Sequence, residues 1–481
     1  MATRPRPNGG WQGNGDGVAA AQRPLPTISK AVGLYQTLLR RQLEHFFPEA
    51  SLEPGGDRSF IEVAPEARHT NYRFAEDPAG FGLEIEWFRT RYIFQPGSPA
   101  PFLPSERRLI ETIVRTLDLR FRSMFDLGVA QHVEVFQYAL EDFMVSEYID
   151  PADHFRIPSA LEALRVAALS TYENRRVSSG ALLLGTDVDP AAPDRTNPPG
   201  APRYNVRLTA IKSLHRLCDG LRTLFLVDRH GDLAWAVDID RWAEQVQGPE
   251  PLGHPCPRPY VGHAKATRGG GHVCLVLTPQ QEIKVFAGGT PVFSFNDARW
   301  RLLDIPTKYQ AWCRAVGPSR PAHLAAKLFQ AALNLSENRT GGLFVLLRDP
   351  AQALPQLVAP NDRIELDVVA DDPDDTDNLS PRMAKRALHH LVRGQDLAEL
   401  DDSVLESLAA VDGAVVTDGN GRLLAFGAIL RITPEAIHAA RAVEGARTVA
   451  ALAASYHGPV LKISEDGYVT MFLGGRRVWE L

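Results

Sequence analysis

The sequence predicts an α/β fold in which a mixed sheet flanked by helices occurs twice in tandem, after an α+β module. Within each predicted copy, helical segments alternate with short apolar strands, which is typical of a sheet covered by helices. Pairs of similar segments in the same order indicate the duplication. They are residues 171–184 with 335–347, 224–236 with 414–426, and 282–293 with 468–479.

Four segments follow from this pattern. Residues 1–27 are rich in Gly, Pro, Arg and Asn, which predicts a disordered tail. Residues 28–150 mix helical and strand-like patterns, and we interpret them as an α+β module that senses a signal or binds a partner. Residues 155–305 are predicted to form the first, degenerate copy and residues 318–481 the second copy.

Composition excludes several classes of protein. The net charge of −6 over 481 residues argues against a general nucleic-acid surface. No apolar run approaches the roughly 18 residues of a membrane span, and the first residues lack the apolar core of a signal peptide. The four cysteines lie far apart, without metal-ligand spacing. We therefore expect a cytoplasmic protein that binds neither nucleic acid nor membrane.

One acidic residue stands at the start of a strand in the second copy. Asp412 and Gly413 precede the apolar run Ala414–Val416, and the turn at 418–421 returns the chain to a second strand. A glycine here would let the backbone approach a ligand closely. The alternative is an ordinary hairpin with an aspartate at its start.

A second feature is typical of an anion site. Residues 445–448, Gly-Ala-Arg-Thr, open a helix rich in small residues. Free N–H groups, the Arg447 guanidinium and the Thr448 hydroxyl suit a phosphate. The alternative is a surface arginine at a helix start.

A third feature adds acidic groups. The strand 460–463 ends in Ser464, Glu465 and Asp466, although these residues are also common in turns. An acidic site beside an anion site suggests a metal-bridged nucleotide polyphosphate. The acidic run 367–377 is interpreted instead as a solvated loop, because it lacks the spacing of a calcium-binding loop.

Taken together, the segments at 339–345, 412–416, 445–451 and 463–465 resemble the diadenylate cyclase domain of bacterial signalling proteins. The resemblance covers about 320–481, a third of the chain. It implies that two ATP molecules are joined into cyclic di-AMP with release of pyrophosphate, and that Mg²⁺ or Mn²⁺ is required. It also implies that two such domains meet face to face, hence a homo-oligomer.

The resemblance assigns roles to the acidic residues. The family's Asp-Gly-Ala motif falls on Asp412, Gly413 and Ala414. Asp412 is implied to bind the metal and to help activate the ribose 3′-hydroxyl, and Glu465 is implied to help hold the metal. Gly413 and Ala414 are implied to lie against the nucleotide.

The phosphate-binding turn departs from the family pattern. The family's Gly-Thr-Arg-His-Arg stretch falls on Gly445, Ala446, Arg447, Thr448 and Val449, and only Gly445 and Arg447 match. The first four of these are nevertheless expected to contact the nucleotide. The loss of a His and an Arg leaves three possibilities: different phosphate binding, a different product, or an inactive protein that only binds nucleotide.

The first copy has diverged further. Without gaps, Arg222 stands at the position of Asp412, and Pro279 stands at that of Glu465. A shift of three residues would instead align the segment 219–221, Asp-Gly-Leu. We interpret this copy as a pseudo-catalytic partner that stacks on the active copy or contributes a basic group to it.

Three hypotheses therefore remain: a nucleotide cyclase with an N-terminal sensor, a non-catalytic nucleotide sensor, and a scaffold. The cyclase hypothesis requires the carboxylates of Asp412 and Glu465 to lie within about 6 Å of each other, beside Arg447, so that they can share a metal.

Overall fold

A computed structural model provides the three-dimensional description of the chain. The described residues are 28–55, 71–76, 82–97, 101–125, 134–153, 155–185, 201–209, 211, 214, 216–317, 322–364, 389, 392, 394–432 and 445–481. The predicted tail, residues 1–27, and the acidic run at 367–377 lie outside them.

The N-terminal segment contains helices and one antiparallel sheet. Strands β1 to β4 pair in the order β1-β4-β3-β2, and the longest helix is α2. The elements are α1 Ile28–Phe46, β1 Ser51–Pro54, β2 Tyr72–Glu76, β3 Leu83–Trp87, β4 Thr90–Gln95, α2 Pro104–Phe125, α3 Glu134–Gln137 and α4 Leu140–Ile149.

The next segment forms a mixed sheet of seven strands, in the order β13-β12-β11-β10-β7-β8-β9. Only β7 and β8 are parallel neighbours. The elements are α5 Arg156–Ala168, β5 Thr171–Tyr172, β6 Arg175–Arg176, β7 Ser179–Leu183, α6 Val206–Thr209, β8 Thr223–Val227, β9 Leu233–Asp238, α7 Ile239–Gln247, α8 Val261–Ala266, β10 Val273–Leu277, β11 Ile283–Ala287, β12 Thr290–Asn296 and β13 Arg299–Leu302.

The last segment forms a second mixed sheet, of six strands, in the order β16-β15-β14-β17-β18-β19. Here β14 and β15 are the parallel pair. The elements are α9 Ile305–Val316, α10 Ala322–Glu337, β14 Gly342–Leu347, α11 Pro350–Leu357, α12 Asp402–Ala410, β15 Ala414–Asp418, β16 Leu423–Ala428, α13 Ala446–Ser455, β17 Val460–Ile463, β18 Val469–Leu473 and β19 Arg476–Glu480.

The two sheets share strand order, direction and turn chemistry. Apart from β13, each strand of the first sheet has a counterpart in the second with the same neighbours. In the β8–β9 and β15–β16 turns, Asp228 and Asp418 accept hydrogen bonds from the N–H groups two and four residues later. The β11–β12 and β18–β19 hairpins turn on glycine pairs with positive φ, Gly288–Gly289 and Gly474–Gly475. The two sheets therefore have the same arrangement of strands and the same turn geometry.

Each sheet is covered on both faces, which explains its uninterrupted apolar strands. In β14, Phe344 and Leu346 pack into one buried cluster, whereas Leu343 and Val345 pack into another on the opposite face. Alternation along a strand sends successive side chains to opposite faces. The predicted α/β class, with mixed sheets flanked by helices, is confirmed.

The N-terminal segment packs on the first sheet through one continuous core. A single cluster of buried side chains extends from Ala31 in α1 to Trp300 in β13. The indole N–H of Trp300 donates to Asp142, which also pairs with Arg165. None of the helices in the described part of the chain has the length and apolar character needed to span a membrane.

The two sheets are joined by a charged cluster. Lys284 in β11 pairs with Glu337 at the end of α10 at 2.8 Å and with Glu282 at 3.2 Å. Tyr260 donates to Glu337 at 3.0 Å, and Arg339 pairs with Glu282. We call these five residues the inter-sheet cluster.

Candidate functional site

Strand direction brings the predicted site residues to one edge of the second sheet. Because β14 and β15 are parallel, the residues before both strands lie at the same edge. Because β17 is antiparallel to β14, the residues after β17 also lie there. The short connection 456–459 reverses the chain between α13 and β17, so α13 begins at this edge. We call it the site edge.

Asp412 and Gly413 lie at the site edge, immediately before β15. The Asp412 side chain is 91 % exposed and therefore open to a ligand. Gly413 has φ +116°, and a Cβ atom there would lie 2.6 Å from the backbone nitrogen of Ala428. The close approach of β16 therefore requires glycine at this position. Ala414 is buried in the core, so only its backbone could face a nucleotide.

Arg447 bridges the two predicted metal ligands. Its Nη2 lies 3.9 Å from Oδ1 of Asp412, and its Nη1 lies 3.5 Å from Oε1 of Glu465. The structure thus brings together three residues from a strand start, a helix start and a turn. Both carboxylates contact the same guanidinium, one at each terminal nitrogen.

The exposed character of these ion pairs limits their strength. The Asp412 and Glu465 side chains are 91 % and 75 % exposed, and that of Arg447 is 35 % exposed. Such surface pairs contribute roughly 0–1 kcal/mol. The arrangement is therefore easily exchanged for contacts with a charged ligand.

A glycine makes room for the Arg447 side chain. The ideal Cβ position on Gly341 is occupied by the guanidinium of Arg447. Gly341 precedes β14, so the guanidinium lies against the backbone at the centre of the site edge. A larger residue at 341 would displace it.

The first turn of α13 presents donors toward the same region. Gly445 is the N-cap, without a side-chain cap, and the turn contains no acidic residue. Gly445 and Ala446 are exposed. Lys462 in β17 donates to the Thr448 hydroxyl at 3.0 Å. A helix start beside two cations favours an anionic ligand.

Sequence reasoning missed Lys462 and assigned no role to Gly341. Lys462 is the one charged residue in the strand 460–463, and that is the signal that could have revealed it. It shares a sheet face with Val460, which packs against α13. Lys462 therefore places a second basic group, besides Arg447, next to the turn at 445–449.

The donors at the site edge fit a nucleotide-bound metal better than an isolated one. No group of three or more potential metal ligands occurs among the described residues. Asp412 and Glu465 supply two carboxylates, and Mg²⁺ is commonly held by one or two carboxylates together with substrate phosphates. The two residues therefore suit a metal that arrives with a polyphosphate.

The corresponding edge of the first sheet has a different chemistry. Arg222 occupies the place of Asp412 and pairs with Asp238 at 3.0 Å. The carboxylate of Asp219 accepts hydrogen bonds from the N–H groups of residues 221–223. Partial burial alone would raise the pKa of Asp219, but these donors hold it below its ordinary value. The carboxylate of Asp219 therefore stabilises a turn of the backbone.

The basic groups of the first copy are also engaged internally. His263 is fully buried, and its Nε2 donates to the carbonyl of Gly220 at 3.0 Å. Arg268 donates to the carbonyls of Gln247 and Glu250. These two side chains therefore serve the packing of the first copy.

Comparison with known proteins adds little to this geometry. No family model matches the chain, and no curated protein matches it. Several solved structures show partial similarity, among them the following two. A hypothetical membrane spanning protein from Bacillus cereus matches at 19 % identity and TM-score 0.25, over 36 % of this chain and 71 % of its own. A double cysteine mutant of DacA from Staphylococcus aureus matches at 15 % identity and TM-score 0.20, over 32 % and 87 %. At these TM-scores neither similarity indicates a function for this chain.

Proposed function

We propose that residues 318–481 form a diadenylate cyclase-like domain that binds ATP with Mg²⁺ or Mn²⁺ and joins two ATP molecules into cyclic di-AMP. One observation carries the proposal: Asp412 and Glu465, from separate loops, both pair with Arg447 at the start of α13. Acidic metal ligands beside a basic helix start are what a nucleotide polyphosphate requires.

Phosphate binding would rearrange the ion pairs of Arg447. The guanidinium, the Lys462 ammonium and the first N–H groups of α13 can all donate to phosphate oxygens. When Arg447 turns to a phosphate, Asp412 and Glu465 lose their counter-charge. A divalent cation bound by these two carboxylates would neutralise phosphate charge. Because the exposed ion pairs are weak, this exchange costs little free energy.

The reaction assigns a second role to Asp412. The ribose 3′-hydroxyl of each ATP attacks the α-phosphate of the other, so that two phosphodiester bonds form and two pyrophosphates leave. The exposed Asp412 carboxylate can orient this hydroxyl and accept its proton. Gly413, which has no side chain, lets the nucleotide lie close to the start of β15.

A reaction between two ATP molecules requires two site edges, each able to bind one ATP. We propose that residues 155–305 are a degenerate copy, because Arg222 and Pro279 replace the two acidic residues. The second ATP is then held by the second copy of another chain, in a homo-oligomer whose site edges face each other. In this arrangement the first copy supports the active one, and residues 28–150 act as the sensor.

The test is incubation of the purified protein with labelled ATP and Mn²⁺. Cyclic di-AMP should form, and D412N should lower its rate by roughly 10²-fold or more, as expected for loss of a proton acceptor and metal ligand. E465Q should also lower it. D466N is the matched control, because Asp466 is the neighbouring exposed acid and should tolerate the change. Activity that survives both D412N and E465Q would refute the assignment.

A non-catalytic nucleotide sensor is the second candidate. It is favoured by the turn at 445–449, which lacks two basic groups of the family pattern. Lys462, in β17, can substitute for only one of them. In that case ATP should raise the melting temperature without forming product, and R447Q should abolish the rise. A protein that neither reacts with ATP nor is stabilised by it would be a scaffold.

A further inference from the structure

A cleft between the two sheets contains polar groups that the proposed function does not use. It is lined by the five residues of the inter-sheet cluster, by Ser294 and Arg301 from the first sheet and by Leu333 from α10. It is distinct from the site edge, since neither Asp412 nor Arg447 lines it.

Strand register aligns three of these polar side chains. Lys284 in β11 is directly opposite Ser294 in β12, and Ser294 is directly opposite Arg301 in β13. Directly opposite residues point to the same face, with Cβ atoms about 5 Å apart. An ammonium, a hydroxyl and a guanidinium therefore form a row on the wall of the cleft.

Two members of the row have donors without acceptors. Within the described part of the chain, Nη1 of Arg301 and Oγ of Ser294 are buried and have no hydrogen-bond partner. Ser294 is only 2 % exposed. Buried polar groups are nearly always hydrogen-bonded, so these atoms indicate an acceptor that the chain itself does not supply.

The two glutamates at the cleft favour a singly charged anion over a more highly charged one. Lys284 and Arg339 are paired with Glu282 and Glu337. Arg301 forms no ion pair with any described residue, so its guanidinium is available to an anionic ligand. A doubly charged phosphate would be repelled by the two nearby glutamates, whereas a carboxylate would balance Arg301.

The remaining walls fix the guanidinium and provide apolar surface. The Arg301 guanidinium lies 4.1 Å above the ring of Tyr468, and this stacking holds its plane. Leu303, Ile305 and Leu333 line the cleft as well. We propose that the cleft binds a short aliphatic monocarboxylate, with its carboxylate on Arg301 and Ser294 and its chain against these apolar residues.

Calorimetric titration of the full-length protein without nucleotide tests the proposal. The probes are acetate, butyrate, hexanoate, inorganic phosphate and the neutral isostere butyramide. Butyrate should bind and butyramide should not. R301Q should weaken butyrate binding by roughly tenfold or more, as loss of a charge-assisted hydrogen bond predicts. S294A should weaken it several-fold.

The matched control is R299Q, which removes an exposed arginine from the same strand and should leave binding unchanged. Should R301Q not fold, as judged by circular dichroism, S294A provides the same comparison. Failure of all the carboxylates to bind the wild-type protein would overturn the proposal. So would unchanged binding in both variants, or tighter binding of phosphate or butyramide than of butyrate.

Discussion

At the scale of the residue, backbone conformation decides what position 413 can hold. Gly413 combines φ +116° with a Cβ position 2.6 Å from the Ala428 nitrogen. Side chains are strained at such φ values, and the obstacle is backbone, which cannot rotate away. Asp412, the residue before it, lies at the site edge. Gly413 therefore serves both the packing of β16 and the position of the candidate metal ligand.

Gly413→Ala should therefore destabilise the protein by roughly 2 kcal/mol or more, from positive φ and steric overlap together. Urea unfolding measures the loss. Gly445→Ala is the matched control, because Gly445 has φ −67° and, apart from its own chain neighbours, no atom of the described residues lies within 4 Å of its Cβ position. Equal stability of the two variants would show that β16 does not approach Gly413 as described.

His263 is a second residue whose surroundings set its chemistry. Complete burial lowers its pKa to about 4, although the Gly220 carbonyl and Asp219 act in the opposite direction. Its Nδ1 is buried without a partner in the described part of the chain. The folded protein therefore favours neutral His263.

This environment predicts a pH dependence of stability. The folded pKa of about 4 lies below the unfolded value of 6.5, so the unfolded chain binds more protons between these values. The contribution of His263 is complete above pH 6.5 and is lost as the pH falls toward 4. Each pH unit in this window should cost up to about 1.4 kcal/mol.

Urea unfolding from pH 4 to 7 checks this expectation, with His263→Gln as comparison. The glutamine amide can still donate to the Gly220 carbonyl but does not titrate. The variant should show a flatter dependence of stability on pH than the wild type. Parallel curves would mean that His263 is not the group responsible.

At the scale of the element, the same turn occurs in both sheets. Asp228 and Asp418 each accept two backbone hydrogen bonds inside a β-hairpin. Aspartate satisfies N–H groups that a tight turn leaves without strand partners. These turns fix the register of β8–β9 and β15–β16, on which the position of Asp412 depends.

Asp418→Ala and Asp228→Ala should therefore destabilise the protein by similar amounts, about 1–2 kcal/mol each, by analogy with the loss of a side-chain helix cap. Asp401→Ala, which removes a side-chain cap at α12, provides a comparison of the same chemical type. Thermal and urea unfolding give the values. A large effect at one turn and none at the other would contradict their structural equivalence.

At the scale of the whole molecule, buried charges join the two sheets. Lys284 is almost fully enclosed between Glu282 and Glu337. Burial alone would lower the pKa of Lys284, but the two carboxylates raise it above its ordinary value. Arg339 extends the cluster to the second sheet, where its Nη1 donates to the Asp466 carbonyl beside Glu465.

Lys284→Met should cost about 3 kcal/mol, because it leaves two largely buried carboxylates without their shared cation. Urea unfolding of the full-length chain measures the change. Arg216→Gln removes the exposed pair with Glu173 and should leave stability unchanged within error. Equal effects of the two substitutions would show that the inter-sheet cluster does not hold the sheets together.

Much of the fold can be predicted from the sequence because its signals are local. Apolar strands such as 342–347 and the Ala-rich helix 446–455 are recognisable from the composition of each segment. The repeated segments also indicate the common strand order. The seventh strand of the first sheet, Arg299–Leu302, was not predicted, since four residues with two arginines give a weak pattern.

The candidate site could be predicted only in part. Asp412, Arg447 and Glu465 stand out from the sequence by residue type and by their position at the ends of elements. The contributions of Lys462 and Gly341 could not be predicted in the same way. The contribution of Lys462 depends on which face of the sheet α13 covers. The contribution of Gly341 depends on how closely Arg447 approaches the backbone.

The sequence by itself determined the α/β class, the repeated pattern of elements and the identity of three candidate site residues, because these follow from local periodicity and side-chain chemistry. The tertiary structure alone decided that Arg447 contacts both acidic residues, that Lys284, Ser294 and Arg301 form a row, and that the two sheets share a charged cluster. The physical reason is that strand direction and register place residues distant in sequence side by side, and neither is encoded in any single segment.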